Sequence, residues 1–148
     1  MRNTAVFVLA AFTAAVWVRA HIKVEPPLVE RLTECYGEHH GISGISIEYA
    51  DYVQWVPCVL GNKGKGPNGE CVAGGWARPY SRLVTYYEPF IKDDCELCAS
   101  ATTTFGLNWI AAHETCHLSG IHSEALTNAC TTRALSEAGC RSLRGTDP

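Results

Sequence analysis

Two histidines and a glutamate stand together in His113-Glu114-Thr115-Cys116-His117, and the spacing can do chemistry if the segment is helical. Residues four apart leave a helix from one face about a turn apart, so the imidazoles of His113 and His117 can share one ion. Glu114, one residue round, is near enough to take a proton from water at that ion. Its neighbours are apolar: Trp109-Ile110-Ala111-Ala112 precede the pair and Leu118 follows it. A carboxylate in such company is costly unless paired or set beside a cation. Zinc suits this donor set. Held by three protein ligands, it keeps a fourth position for water, whose pKa falls to about 7.

A third ligand has two candidates. The pattern H-E-x-x-H-x-x-G-x-x-H is begun by His117-Leu118-Ser119-Gly120, but Ser123 holds the last position and His122 falls one residue early. Glu124 lies seven residues past His117, where Gly120-Ile121-His122 can turn the chain back and the intervening residues can span the gap. A carboxylate is an ordinary zinc ligand. The expected set is therefore His113, His117 and Glu124 around zinc with Glu114 as general base, His122 staying open as the alternative ligand.

With Glu124-Ala125-Leu126-Thr127-Asn128 following the histidines, the segment 109–135 resembles gluzincin-type zincin-like peptidases. That resemblance implies a zinc metallopeptidase acting on a peptide or protein, with His113, His117 and Glu124 as ligands and Glu114 as base. It also implies that the strand before the active helix binds an extended peptide along its edge. Tyr86 and Tyr87 in that strand either face the site or pack in the core.

Other residues have competing uses. Cys95-Glu96-Leu97-Cys98 can be redox-active or metal-binding, but disulfide partners are the expectation in an exported chain. Cys116 points away from His113 and His117 on a helix and suits a disulfide. His39-His40, in a Gly-rich turn, can form a second metal site, but an exposed loop pair is the expectation. His21 would become the N-terminal residue after signal cleavage, as in copper monooxygenases, which nothing else here resembles. Asn128 and His122 can hold a ligand by an outer hydrogen bond, or simply cap or face solvent. Gly64-x-Gly66-x-x-Gly69 matches a dinucleotide fingerprint only formally, since no helix opens after it and Pro67 interrupts.

These residues need positioning elements. Phe105, Leu107, Trp109, Ile110, Ala111, Ala112 and Leu118 predict a largely buried helix over 102–119, with Gly120 as its stop. A second helix is expected from Ser123 as N-cap to Ala138, ended by Gly139. Upstream, 28–32 predicts a short helix, while 45–49, 52–56 and 81–87 alternate or are rich in aromatic and β-branched residues and predict strands. The fold class expected is α+β: a small zincin-like domain with short strands followed by the active-site helix and a second, C-terminal helix, stapled by disulfides.

Composition sets the frame. The apolar run 5–18 ending in Val18-Arg19-Ala20 has the grammar of a signal peptide cut after Ala20. It is shorter than the roughly 20 residues a bilayer demands, so an uncleaved anchor is the lesser alternative. The expected organisation is a signal peptide over 1–20 and one domain over 21–148, secreted or otherwise outside the cytoplasm, without stable membrane insertion. The chain has 12 basic and 15 acidic residues; losing Arg2 and Arg19 leaves 10 against 15, a formal charge of −5, which argues against a nucleic-acid partner. Eight cysteines allow four disulfides. Cys58–Cys71, flanking the glycine-rich loop, is the pairing expected by name. Two functional classes fit: a hydrolase, as peptidase or as amidase on a non-peptide amide, and a disulfide-rich binding protein without turnover. Glu114 discriminates between them, because a binding protein has no use for a carboxylate beside the metal.

Overall fold

Pro27 opens the first helix: its carbonyl accepts from the N–H groups of Glu30 and Arg31, and lacking an N–H of its own it suits a helix start. The helix α1, Leu28–His39, buries Val29, Leu32, Thr33, Tyr36 and Gly37, an i, i+3, i+4, i+7, i+8 stripe. It therefore runs seven residues past the short helix expected, because Thr33 and Tyr36 continue the buried face with polar atoms satisfied. Thr33 Oγ1 donates to Val29 O at 2.6 Å and so accepts from the Tyr86 hydroxyl at 2.6 Å. Tyr36 OH donates to Asn108 Oδ1 at 2.7 Å. The computed structural model describes residues 25–58, 64–92 and 104–144; the expected signal segment, His21 and the Cys95/Cys98 pair lie outside them.

Among the described residues five short strands follow. β1 (Ser46–Ala50), β4 (Gly75–Arg78) and β5 (Leu83–Tyr87) form a sheet in the order β1-β5-β4. β1 runs parallel to β5 with Tyr49 opposite Tyr86, and β4 runs antiparallel with Gly75 opposite Tyr86. β2 (Trp55–Val56) and β3 (Cys71–Val72) make a separate two-residue ladder, closed by the Cys58–Cys71 disulfide that was expected. The strand 81–87 forms over its last five residues, but it is central, with a neighbour on each side. The edge beside the histidine-bearing helix belongs to β4 instead, a strand that its glycine and alanine do not announce.

After the helical turn α2 (Glu88–Ile91), α3 spans Thr104–Leu118 and α4 spans Glu124–Glu137, close to both expected helices. α3 is the centre of the molecule: it packs on α1, α4 and β4, and buries Leu107, Ile110, Ala111, Ala112 and Leu118 in one core with Val29, Leu32, Tyr36, Val84 and Tyr86. A 3₁₀ turn, Cys140–Ser142, ends the described chain, and Cys35–Cys140 returns it to α1. The class is α+β as expected, although a 12-residue helix precedes the strands, so the order is not strands first. Among the described residues no helix is long and apolar enough to cross a membrane. Three disulfides among them are what an oxidising compartment forms.

Candidate metal centre

The histidine and glutamate side chains meet because the chain reverses sharply after α3. Gly120 takes φ +97°, a left-handed conformation that side chains resist, and its N–H donates to His117 O. α4 then returns antiparallel to α3 with Glu124 as its first residue, a favourable place for a negative charge. His117 Nε2 lies 3.2 Å from His113 Nε2. Glu124 spans both rings, with Oε2 3.3 Å from His113 Nε2 and Oε1 3.2 Å from His117 Nε2. His122 is exposed at the turn and does not join this group, whereas Glu124 does.

Hydrogen bonding settles which ring nitrogen carries the proton. His117 Nδ1 is 2.7 Å from Ile121 O; a carbonyl only accepts, so Nδ1 carries an N–H, and Nε2 is the ring atom that faces the cluster. His113 Nδ1 faces Thr131 Oγ1 at 3.5 Å. Burial lowers the His113 pKa, His117 lowers it further, and Glu124 opposes both. Two ring nitrogens and a carboxylate crowded at one point repel unless a proton or a metal cation lies among them. Zinc bonds of about 2.0–2.1 Å in a tetrahedron set donor atoms about 3.3 Å apart; the two Nε2 atoms stand 3.2 Å apart, and each Glu124 oxygen approaches one of them, at 3.3 and 3.2 Å. The histidine side chains are 17% and 16% exposed and that of Glu124 is 62% exposed, so the group opens to solvent on the Glu124 side.

Glu114 lies on α3 against β4, beside Gly75. It is buried, and its Oε2 has no hydrogen-bond partner among the described residues. Burial, with a smaller push from Glu124, raises its pKa to about 8; a cation nearby acts in the opposite sense. The strand facing it is glycine for a steric reason: a Cβ on Gly75 would stand 3.3 Å from Glu114 Cγ and 3.0 Å from Tyr86 Cδ1. Tyr86 and Tyr87 are both buried, and the Tyr86 hydroxyl is spent on Thr33, so packing is their role here. Trp109 flanks His113, with ring centroids 6.4 Å apart at 26°.

Sequence reasoning passed over Ile121, Thr127 and Thr131, which surround the outer ring nitrogens. The signal available was a matched four-residue step: His113 and His117 before the turn, Thr127 and Thr131 after it. His39 ends α1 and His40 caps it, so they are not a loop pair. His40 Nε2 lies 3.5 Å from Cys116 Sγ and 3.9 Å from Cys130 Sγ. Those sulfurs are joined in a disulfide, which removes them as thiolate ligands and staples α3 to α4 behind the histidines. Among the described residues Asn128 Oδ1 is buried without a hydrogen-bond partner, so it does not hold either histidine. Comparison with known proteins returns nothing: no family model, no curated protein and no solved structure matches this chain.

Proposed function

We propose that the chain is an exported zinc-dependent hydrolase acting on peptide bonds, with His113, His117 and Glu124 as metal ligands and Glu114 as general base. The observation that carries this is the convergence of two imidazole Nε2 atoms 3.2 Å apart and a carboxylate that reaches one with each oxygen, one residue from a buried carboxyl with an oxygen unpartnered among the described residues. Zinc bound there supplies Lewis acidity, lowering the pKa of water and polarising a carbonyl. Glu114 accepts the proton of the attacking water as the new C–O bond forms, and returns it to the amide nitrogen as the C–N bond breaks. His113 and His117 would hold the ion through Nε2 with their outer Nδ1–H groups turned to the protein, and Glu124 would bring negative charge to a divalent ion.

The substrate follows from β4. Tyr87 N–H donates to Gly74 O at 3.0 Å, and antiparallel alternation then directs the backbone groups of Gly75 and Ala77 away from β5. An extended peptide pairing with that edge would pass beside Glu114. This replaces the edge of β5, which the sequence suggested and which is already paired.

The test is metal content and cleavage measured together. Dialysed protein is expected to hold one zinc per chain and to cut members of a diverse peptide library, read by mass spectrometry, with cutting lost in a chelator and restored by zinc. Absence of stoichiometric metal overturns the assignment; zinc without cleavage makes the chain a binding protein. The ligand set has its own check. Glu124→Ala removes a donor and is expected to weaken zinc retention by orders of magnitude, while His122→Ala, exposed at the turn, is expected to leave it unchanged. The opposite ranking would make His122 the third ligand.

A further inference from the structure

Thr127 and Thr131 are fully buried on α4, and each faces the outer nitrogen of one histidine. Thr127 Oγ1 is 3.4 Å from His117 Nδ1 and Thr131 Oγ1 is 3.5 Å from His113 Nδ1. The match is one of register: two antiparallel helices joined at Gly120 carry His at a four-residue step on one and Thr at the same step on the other. Each hydroxyl proton is committed to the preceding turn, from Thr127 to Ser123 O at 2.9 Å and from Thr131 to Thr127 O at 2.7 Å. Each threonine therefore turns a lone pair to the imidazole, which must be the donor. Valine has the same shape and would fill these buried positions without a polar atom, so packing alone does not account for the hydroxyls.

The two sites are not equal. His117 Nδ1 already has the Ile121 carbonyl at 2.7 Å. His113 Nδ1 has only Thr131 among the described residues.

We propose that Thr131 is a positioning residue that holds His113 as its Nδ1–H tautomer and aims Nε2 at the bound ion, with Thr127 a dispensable second acceptor for His117. This rests on the reading that His113, His117 and Glu124 bind zinc. Outer partners of metal-bound histidines are generally worth about 10–100-fold in metal affinity.

The experiment uses the full chain and three variants, Thr131→Val, Thr131→Ser and Thr127→Val. Zinc affinity is read by competition with a chromogenic chelator, and imidazole N–H protection in the zinc-loaded protein by ¹⁵N NMR. Thr131→Val is expected to raise the zinc Kd about 10–100-fold and to lose protection of the His113 Nδ1–H alone. Thr131→Ser, which keeps the acceptor, is expected to restore both, and Thr127→Val to change little. A wild-type Kd with a protected His113 Nδ1–H in Thr131→Val overturns the proposal. So does a Thr131→Ser variant as weak as the valine, which would trace the effect to the lost methyl. A wild-type chain that takes up no zinc removes the metal assignment itself, and this inference with it.

Discussion

Glu114→Gln is expected to lower peptide hydrolysis by about 10²–10⁴-fold, the usual contribution of a positioned acid or base, while zinc content stays at the wild-type level. The two halves have separate physical origins. On the proposed reading metal retention belongs to His113, His117 and Glu124, none of which changes, and the amide nearly matches the carboxylate in shape, so the contact with Gly75 survives. Turnover falls because the amide cannot take a proton from water. Stability is expected to hold or rise, since a buried carboxyl with an unpartnered oxygen becomes a neutral group whose burial costs less. Paired measurements of zinc per chain, melting temperature and cleavage rate check this. Cleavage at the wild-type rate in the glutamine variant would show that Glu114 is not the base.

The second large effect is on stability. Cys35–Cys140 closes a sequence separation of 105 residues, against 13 and 14 for Cys58–Cys71 and Cys116–Cys130. In the chain-entropy account, a loop of about 100 residues gains about 4.7 kcal/mol from its crosslink and one of about 15 residues about 3. The bond also compensates a weak contact. α4 buries only Thr127, Thr131 and Ala134, little apolar surface for a helix that carries Glu124. Replacing Cys35 and Cys140 together by Ala is expected to cost about 3–5 kcal/mol and to lower the melting temperature by about 10 °C or more. Removing Cys58 and Cys71 is expected to cost less and to act locally on the β2–β3 ladder. Both should be measured with a chelator present, so that zinc binding to the folded state does not add to the stability. A loss under about 1 kcal/mol for the Cys35/Cys140 pair would place the stability of the α4 end in its packing instead.

What was legible before folding depended on how local the cause is. The bounds of α3 and α4 follow from apolar density and from Gly120 and Gly139, both at positive φ, because stop signals act within one turn. α1 was underestimated because its stripe continues through Thr33 and Tyr36, which look polar in isolation; their partners, Tyr86 and Asn108, lie 53 and 72 residues away. β4 was missed because Gly75-Trp76-Ala77-Arg78 has little intrinsic preference for a strand. It is a strand because β5 offers it a pairing edge.

Sequence by itself determined the chemistry on offer: a helical four-residue step that puts two imidazoles on one face, a glycine that must turn the chain, a glutamate seven residues on, and cysteines enough to staple a small core. These are short-range facts, set by helix geometry and backbone sterics. Tertiary structure alone decided the rest. It chose Glu124 over His122 as the neighbour of the histidine pair, made β4 rather than β5 the edge at Glu114, left one Glu114 oxygen unpartnered in the interior, and registered Thr127 and Thr131 against the outer ring nitrogens. Each depends on which faces of distant elements meet, and that is set by the summed burial of the whole core and by crosslinks such as Cys35–Cys140, which joins residues 105 apart in sequence.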